Sequence, residues 1–358
     1  MKILIRTDAS RLIGLGHLTR CLTLASDLKN HSVDVLFTCR DQAHEITNKV
    51  TTSGFELRLL PPVGGTDWNP ADEYERWLGT TEAADADQTC QLLDQYRPDW
   101  VIVDHYALGW AWESRVRDTG VRILAIDDLL GRRHNTDVIL DQSFLRLSED
   151  EVPHPSNSDC LSLLGPKYAL LDPSYSIRRP ERQNTNVVQR IFVFAGGADI
   201  PGLSLCALEA LKAAELNQVD IDLVVGQLNS HRPDIERAQR QIPRLTIHAD
   251  QPTLTPLMAR ADLAVGAAGA TTWERLCIGL PSIAVALAPN QNEIGQRAAK
   301  YGVLDYLGQI EEVDHLRLRR AILDLVCDHE RRNSIRALGA ALVDGHGVER
   351  VVEVLLKK

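Results

Sequence analysis

The stretch GLGHLTR at residues 14–20 follows the apolar run ILI at residues 3–5 and opens an amphipathic segment. From Leu18 onward apolar residues recur at helical spacing, with polar residues on the other faces, which predicts a helix. A strand therefore passes into a helix through a glycine-bearing turn, and His17 is predicted to lie in the first helical turn. Unpaired backbone N–H groups there carry partial positive charge, which favours phosphate binding and keeps a nearby imidazole neutral. A neutral imidazole can accept a proton.

Composition indicates the class of protein and excludes some partners. The 358 residues exceed the usual size of one hydrophobic core, so two domains are expected, and 44% hydrophobic with 25% charged residues is typical of globular proteins. The formal net charge is -10, from 49 acidic and 39 basic residues. Because no basic block is present, nucleic acid and an anionic membrane surface are excluded as partners. A small anionic ligand can still bind locally.

No apolar run approaches the roughly 20 residues that span a bilayer, and Arg6 and Asp8 follow the first one. Neither a signal peptide nor membrane insertion is therefore expected, and we predict a cytoplasmic protein. The seven cysteines are odd in number, scattered and mostly within apolar patterns, which indicates reduced thiols. No pair of them has metal-site spacing, and we expect no metal. The sequence leaves the oligomeric state open.

The first half alternates strands with helices, which implies a parallel sheet covered on both faces. Its strands are predicted at residues 3–5, 33–39, 100–104, 121–126 and 138–140. After the first helix, further helices are predicted at 83–95 and around 113–116. The residues between 40 and 82 are expected to be less regular, with a loop at 61–70.

The second half restarts the same pattern. Five prolines and many polar residues at 153–186 indicate irregular structure that leads into a linker near 178–187. Strands are then predicted at residues 190–195, 221–225, 245–247, 263–265 and 282–287. The sequence therefore predicts an α/β fold with Rossmann-like domains at 1–180 and 187–345. A final helix at about 347–356, within the segment 346–358, is predicted to pack back towards the first domain.

The glycines Gly14 and Gly16 resemble the start of a dinucleotide-binding fingerprint. Thr19 and Arg20 stand where its third glycine belongs, and the second strand ends without a clear ribose-binding acid. A nicotinamide or flavin cofactor is therefore disfavoured, and no cofactor is expected. The alternative interpretation of these glycines is a tight strand-to-helix turn.

A second informative stretch is GAAGATTWE at residues 266–274. A predicted strand ends in small residues that allow close approach of a ligand, and a helix that begins near Thr271 directs its N-terminus there, as a diphosphate site requires. Glu274 is placed to accept hydrogen bonds from ribose hydroxyls. The alternative is a capping box, with Thr271 as the N-cap and Glu274 as its partner.

Two further turns in this half follow predicted strands, where open α/β sheets place ligand-binding groups. Gly196 and Gly197 end the strand that opens the half, and Asn290 and Gln291 follow a later one. Together with the 266–274 stretch they favour a ligand site over a purely structural interpretation.

These motifs together resemble the nucleotide-sugar hydrolase family of pseudaminic acid biosynthesis. They span most of the chain in order: RTDAS (6–10), GLGHLTRC (14–21), DHY (104–106), DD (127–128), YALL (168–171), AGGAD (195–199), GAAGATTWE (266–274) and NQ (290–291). The composite is specific, although each piece alone is not. Ala198 stands where related sequences often have threonine or serine, and Pro201-Gly202 replaces a more polar turn.

The resemblance implies a fold, a reaction and a set of site residues. That family shares the GT-B architecture of the glycosyltransferase that makes lipid II, with two Rossmann-like domains whose sheets face a central cleft. It implies release of UDP from UDP-2,4-diacetamido-2,4,6-trideoxy-β-L-altropyranose, a small-molecule UDP-sugar. Its essential histidine corresponds to His17, its tyrosine to Tyr106 and its cleft asparagine to Asn290. Its UDP-binding stretch corresponds to residues 266–274, including Gly266, Gly269, Ala270, Thr271, Thr272 and Glu274.

The chemistry of these residue types agrees with that assignment. Helix N-termini can stabilise a departing diphosphate without a metal. No Asp-x-Asp element occurs where glycosyltransferases use such an element to hold a metal ion. The remaining need is a base near the anomeric carbon, a role worth about 10²–10⁴ in rate, which His17 fits. Direct attack by water inverts the anomeric centre. Asp8, Gly16, Tyr106, Asn290 and Gln291 are candidate sugar-binding or water-positioning groups, whereas His105 and His134 are expected to be structural.

Three rival functions stay open at this point. A GT-B glycosyltransferase would move the sugar to an acceptor, and an epimerase would isomerise the UDP-sugar without releasing UDP. A binding or regulatory protein would hold the sugar nucleotide without reaction. Release of UDP in the absence of an acceptor separates the hydrolase from all three.

Overall fold

The computed structural model describes residues 1–10, 13–40, 44–61, 70, 73–129, 131–144, 159–178, 186–226, 228–249 and 251–357, without the side chains of 44–47 and 73. Contacts within the chain form two units. One unit comprises Met1–Leu170 with Gly347–Lys358, and the other comprises Leu171–His346. The domain boundaries at 180 and 187 stay a prediction.

The first unit is built on a seven-stranded parallel sheet. Its strands are β1 (Lys2–Thr7), β2 (Asp34–Arg40), β3 (Glu56–Leu60), β4 (Trp100–Asp104), β5 (Arg122–Ile126), β6 (Val138–Asp141) and β7 (Leu161–Leu164). Its helices before residue 171 are α1 (Gly16–Asn30), α2 (His44–Thr52), α3 (Glu73–Leu78), α4 (Glu82–Tyr96) and α5 (Trp110–Arg117).

The strand order β3-β2-β1-β4-β5-β6-β7 positions the first candidate site. The chain builds one half of the sheet outward from β1 and then returns to build the other half from β4. Thr7 and Asp104 are register partners at the carboxyl ends of these two neighbours. In open α/β sheets this switch point leaves a crevice in which ligands bind.

The second unit repeats this arrangement with six strands. They are β8 (Arg190–Phe194), β9 (Asp220–Val225), β10 (Leu245–Ala249), β11 (Leu263–Ala267), β12 (Ser282–Ala286) and β13 (Asp305–Gln309). The helices are α6 (Ser174–Arg178), α7 (Leu203–Ala213), α8 (Arg232–Gln239), α9 (Thr255–Arg260), α10 (Thr271–Ile278), α11 (Pro289–Lys300), α12 (His315–Cys327) and α13 (His329–Leu342). The order β10-β9-β8-β11-β12-β13 puts the switch point between β8 and β11. The two predicted parallel sheets are thus confirmed.

The last helix, α14 (Gly347–Leu356), belongs to the first unit. It packs against α1 and the turn Pro166–Tyr168, and it buries Val351 and Leu355 completely. The Arg350 guanidinium donates a hydrogen bond of 2.6 Å to the Lys167 carbonyl. A Cβ atom on Gly347 would lie 2.3 Å from the Ala169 carbonyl oxygen, so only glycine fits there.

The central strands have continuous apolar sequences because the sheet is covered on both faces, so that their side chains are buried on either side. Every residue of β4, β11 and β12 is buried. Each sheet has its own core, one around Trp112 and Val101 and the other around Val193 and Leu223. Among the described residues no helix combines the length and apolar character needed to cross a bilayer. All seven cysteines are free thiols.

Two segments are more regular than the sequence analysis predicts. Residues 44–60 contain α2 and β3, and the proline-rich segment contains β7 and α6. The predicted linker and the predicted loop lie largely outside the described residues, which omit 179–185 and 62–69. β7 was missed because it has only four residues, and β3 because most of its side chains are exposed.

Candidate active site

His17 lies where β1 gives way to α1. Gly14 has a φ of +79°, a left-handed conformation that favours glycine, and its N–H donates to the Ser10 carbonyl at 2.8 Å. α1 begins at Gly16, so His17 is its second residue, as the sequence predicts. His17 is 8% exposed.

Asp104, at the carboxyl end of β4, is the partner of His17. The His17 Nδ1 and Asp104 Oδ1 atoms are 2.5 Å apart. Arg20, one turn further along α1, donates to the same carboxylate from Nε at 2.7 Å and from Nη2 at 2.6 Å. Burial alone would raise the pKa of Asp104, but the charges of Arg20 and His17 lower it well below its ordinary value. Asp104 is therefore an anion.

This anion determines which ring nitrogen of His17 carries the proton. Arg20 Nη2 also approaches Nδ1, at 3.2 Å, but both groups are donors directed at the same carboxylate. The Nδ1 proton is therefore assigned to the bond with Asp104, which leaves the lone pair on Nε2. A carboxylate in this position also stabilises the imidazolium that forms when Nε2 accepts a proton.

Tyr106 lies against the imidazole and is tied to the same network. Its ring packs edge-on against His17 with centroids 4.6 Å apart. Its hydroxyl donates a short hydrogen bond to Asp128, which also accepts a bond of 3.0 Å from Arg20 Nη1. Burial, and then Asp128, raise the pKa of Tyr106 well above its ordinary value, so the hydroxyl stays protonated.

Two aromatic side chains of α3 pack against the Tyr106 ring. The Tyr74 and Trp77 rings lie 5.4 Å and 5.9 Å from the Tyr106 ring. Trp77 is buried and Tyr74 is half-buried. Neither residue is a predicted site residue, because α3 itself was not predicted.

Asp8 is not brought to His17. Its carboxylate accepts bonds of 2.6 Å and 2.9 Å from the Arg6 guanidinium and one of 2.6 Å from the Arg40 backbone N–H. Arg6 also pairs with Asp85 at 2.7 Å, and all of these groups are buried. Asp8 thus belongs to a buried charge cluster at the carboxyl end of β1.

Of the two other histidines singled out by sequence, His105 lies against the Asp8 cluster, with its Nε2 atom 3.4 Å from Asp8 Oδ2, and His134 lies in a separate network. Burial lowers the pKa of His105 to about 4, so it is neutral, and its Nδ1 accepts a bond of 3.1 Å from the Ala107 N–H. His134 lies 2.6 Å from Glu113 and 2.9 Å from Asp127. Burial lowers its pKa, but these carboxylates outweigh that effect and raise the pKa to about 9.

In the second unit, Gly196 and Gly197 form the turn after β8. Gly196 has a φ of +91° with open space beside its Cα. Gly197 lies so close to Gly226 that a Cβ on the latter would be 2.3 Å from the Gly197 carbonyl oxygen. The Asp199 carboxylate accepts bonds from the N–H groups of Leu203 and Ser204 at 2.8 Å and 3.0 Å, which caps α7.

The stretch after β11 leads directly into α10. Ala270 is the N-cap and contributes no side-chain hydrogen bond, and Thr271 is the first helical residue. The capping-box interpretation is therefore wrong. Within the described residues, the backbone N–H groups of Gly269, Ala270 and Thr271 have no acceptor. Such a group of N–H donors at a helix N-terminus is suited to phosphate oxygens.

The side chains around this turn include one group that the sequence analysis missed. The Arg275 guanidinium donates to the Thr271 and Thr272 hydroxyls at 3.2 Å and 3.1 Å. Gly266 is needed because a Cβ there would lie 2.6 Å from both Arg275 Nη1 and the Phe194 carbonyl oxygen. Glu274 is half-buried, and its carboxylate hydrogen-bonds with the Tyr175 hydroxyl.

Gln291 and Asn290 lie in the first turn of α11, after β12. The Gln291 Oε1 atom accepts a bond of 3.0 Å from the Leu287 N–H. A Cβ on Gly269 would lie 3.2 Å from Gln291 Nε2, so the structure brings these two predicted residues together. Asn290, which precedes Gln291 in the chain, is half-buried.

Comparison with curated proteins confirms the resemblance that the motifs indicate. The chain is 24% identical over 306 residues to the UDP-2,4-diacetamido-2,4,6-trideoxy-beta-L-altropyranose hydrolase of Campylobacter jejuni, and the match covers 84% of this chain and 97% of that protein. It is 26% identical over 192 residues to the spore coat polysaccharide biosynthesis protein SpsG of Bacillus subtilis, covering 53% of this chain and 57% of SpsG. An uncharacterized protein of Methanocaldococcus jannaschii, MJ1062, is 21% identical over 321 residues, which are 87% of this chain and 59% of MJ1062. The chain thus spans under two thirds of the last two relatives. No family model matches it.

Comparison with solved structures agrees on the fold. MurG of Acinetobacter baumannii superimposes with a TM-score of 0.69 over 100% of both chains at 15% identity. The UDP-GlcNAc 2-epimerase of Neisseria meningitidis superimposes with a TM-score of 0.63 over 100% of both chains at 13% identity. The chain therefore has the GT-B fold, and it is similar over most of its length to a nucleotide-sugar hydrolase.

Proposed function

We propose that this protein is a UDP-sugar hydrolase in which His17 activates the attacking water. The observation that carries this proposal is the pair of His17 and the buried carboxylate Asp104 at the switch point of the first sheet. The anion holds a proton on Nδ1, which leaves Nε2 to take a proton from water, and it then stabilises the positive charge that forms on the ring. A general base so oriented is what hydrolysis requires and what simple binding of a sugar nucleotide does not.

The reaction forms one bond and breaks another at the anomeric carbon. The water oxygen bonds to that carbon while one water proton passes to His17 Nε2. The bond between the carbon and the β-phosphate oxygen breaks, and UDP leaves with the electron pair. Attack opposite the leaving group inverts the anomeric centre.

The second unit is proposed to hold the UDP moiety. The N–H groups of Gly269, Ala270 and Thr271 would donate to phosphate oxygens, and the N-terminus of α10 adds partial positive charge where negative charge develops. Gly196, Gly197 and Thr272 would complete this site. Glu274, whose carboxylate is oriented by Tyr175, would accept hydrogen bonds from the ribose hydroxyls.

Sugar recognition is assigned to groups near the base and to α11. Tyr106, together with Gly16, would line the sugar, and Asn290 and Gln291 would donate amide hydrogen bonds. Asp8 would act only through the charge cluster around Arg6, since its carboxylate is already bound there. We propose UDP-2,4-diacetamido-2,4,6-trideoxy-β-L-altropyranose as the substrate, because the similar Campylobacter jejuni protein is named as the hydrolase of this compound. The reaction would then be a step of pseudaminic acid biosynthesis.

A panel of UDP-sugars tests the proposal. The purified protein is incubated with each sugar nucleotide, with and without a chelator, and UDP and free sugar are followed by NMR. We expect UDP release without any acceptor, unchanged by the chelator, and a first-formed free sugar of inverted configuration. His17→Phe serves as the inactive control, which still binds UDP. Release that requires an added acceptor would instead indicate a glycosyltransferase, and a new UDP-sugar without release of UDP would indicate an epimerase.

A further inference from the structure

Arg275 is a fully buried cation beneath the turn that precedes α10. Its side chain folds back along the helix, and Nη2 donates a bond of 2.8 Å to the Ala267 carbonyl. The two threonine hydroxyls of the first helical turn accept its other bonds. Only 1% of the residue is exposed, and its Nε atom is buried with no hydrogen-bond partner among the residues that the structure describes.

Unlike the buried Arg6 and Arg20, Arg275 has no carboxylate in an ion pair among the described residues. Arg6 pairs with two aspartates, and Arg20 pairs with two others. Arg332 also lacks a carboxylate, but three backbone carbonyls accept its bonds, two of them, Leu325 and Val326, in the last turn of α12. A helix C-terminus carries partial negative charge and therefore suits a cation.

The surroundings of Arg275 have the opposite sign. Its guanidinium lies at the N-terminal end of α10, where the helix contributes partial positive charge. Burial lowers the pKa of Arg275 to about 10, against the effect of the Glu274 charge, but the group still carries its proton at neutral pH. Two positive contributions thus lie together in a region of low dielectric, where an unbalanced charge is costly. An anion bound at the turn would balance both.

We propose that Arg275 is a positioning residue that supplies buried positive charge for recognition of the diphosphate by the 269–271 N–H groups. It holds the turn through Ala267, Thr271 and Thr272 without touching the ligand, and Gly266 makes room for it. The inference rests on the proposed function, since it takes the diphosphate of UDP as the anion. It goes beyond that function because it assigns positive charge at the diphosphate site to a side chain outside the predicted UDP-binding residues.

Binding of ligands that differ in charge tests this role. UDP, uridine and inorganic pyrophosphate are titrated by calorimetry into the wild type, Arg275→Met, Arg275→Lys and the control Arg332→Met. Arg275→Met should weaken UDP and pyrophosphate binding at least tenfold and leave uridine binding within twofold. Arg275→Lys, which keeps the charge, should recover most of the affinity. Without ligand, Arg275→Met should melt no lower than the wild type, because it removes an unbalanced buried charge, whereas Arg332→Met should melt lower and bind UDP normally.

Other outcomes overturn the proposal. They are wild-type affinity of Arg275→Met for UDP, an equal loss for UDP and uridine, or an Arg275→Lys variant as weak as a charge-free one. If Arg275→Met does not fold, the UDP affinity of Arg275→Lys relative to the wild type still tests the proposal. A wild type that binds UDP but releases none from UDP-sugars would refute the hydrolase and leave the role of Arg275 standing. A wild type that binds neither UDP nor pyrophosphate refutes both.

Discussion

The pairing of His17 with Asp104 connects two residues that are 87 positions apart in the chain. Sequence analysis could predict that each ends a strand or begins a helix, because those signals are local. It could not pair them, since that depends on β4 lying next to β1 in the sheet. The same holds for Arg20 and Asp128, which lie in quoted motifs but whose contact is visible only in the folded chain.

Replacing Asp104 by asparagine tests whether the carboxylate orients the base. The amide can donate to Nδ1, which would move the imidazole proton to Nε2 and remove the lone pair that accepts a proton from water. We expect kcat for UDP release to fall by about 10³–10⁴, as losses of a triad carboxylate do. The Kd for UDP, measured by calorimetry, should stay within about twofold of the wild type.

The matched control is Asp99→Asn, at the opposite end of the same strand. Asp99 is exposed and accepts a bond of 2.7 Å from the Lys2 N–H, so its loss should leave kcat unchanged. Turnover by Asp104→Asn within tenfold of the wild type would refute the orienting role.

At the scale of elements, most strands and helices follow from hydrophobic pattern. Predicted and observed bounds agree at β4 and α14, where a buried run and a periodic apolar face are continuous. The start of α10 was harder to interpret, because a threonine followed three residues later by glutamate is also a stability motif. In the structure α10 begins at Thr271, and the Thr271 hydroxyl accepts a hydrogen bond from Arg275. Thr271 is therefore not the N-cap of a capping box.

Glu274→Ala tests the role of the first turn of α10. Loss of a hydrogen bond to a charged carboxylate should weaken UDP binding by about 1.5–3 kcal/mol, roughly tenfold to a hundredfold, and lower the saturated rate less. The ligand-free protein should not show the loss of about 0.5–2 kcal/mol that removal of an N-cap causes. Calorimetry with UDP and melting curves without it measure the two quantities.

Glu293→Ala is the control, since it removes an exposed glutamate from the first turns of α11. Its Kd for UDP should be that of the wild type. Unchanged UDP affinity of Glu274→Ala together with lower thermal stability would favour a purely structural role for Glu274.

His134 makes the contact between α5 and the end of β5 depend on pH. Its pKa rises from 6.5 to about 9 in the fold, through Glu113 and Asp127. A raised pKa means that the stabilisation is fully present below about 6.5 and is lost as pH rises through about 9. A rise of this size corresponds to about 3 kcal/mol.

Melting curves of the wild type and His134→Gln between pH 6 and pH 10 measure this effect. The wild type should melt several degrees higher at pH 6, and the difference should shrink above pH 9. The exposed His31→Gln should follow the wild type at every pH. A difference that does not depend on pH would show that His134 stabilises the fold by packing alone.

At the scale of the molecule, α14 contributes to a unit that is otherwise built from the first 170 residues. Leu355 is fully buried, so Leu355→Ala should destabilise the protein by about 2–5 kcal/mol. Hydrogen–deuterium exchange should show faster exchange in α1 and β1, with α7 unchanged. Leu356→Ala removes the neighbouring leucine, which is 37% exposed, and should change stability by no more than about 0.5 kcal/mol.

Equal loss of protection in both units would contradict this view, because it would mean that the chain unfolds as a single cooperative block. Sequence analysis could predict α14 as an amphipathic helix from its periodic valines and leucines. Its return towards the first domain is also a prediction, but the close packing around Gly347 that fixes its position is encoded in no local pattern.

The return of α14 also has a consequence for synthesis. Residues 347–356 complete the surface against which α1 packs, yet the ribosome makes them after the whole second unit. The second unit is contiguous, so it can fold as soon as its own residues have emerged. The first unit starts earlier but cannot finish until α14 leaves the exit tunnel, so its α1 face stays open for most of translation. During that interval this face is a natural target for chaperones, and the unit translated first is the one that matures last.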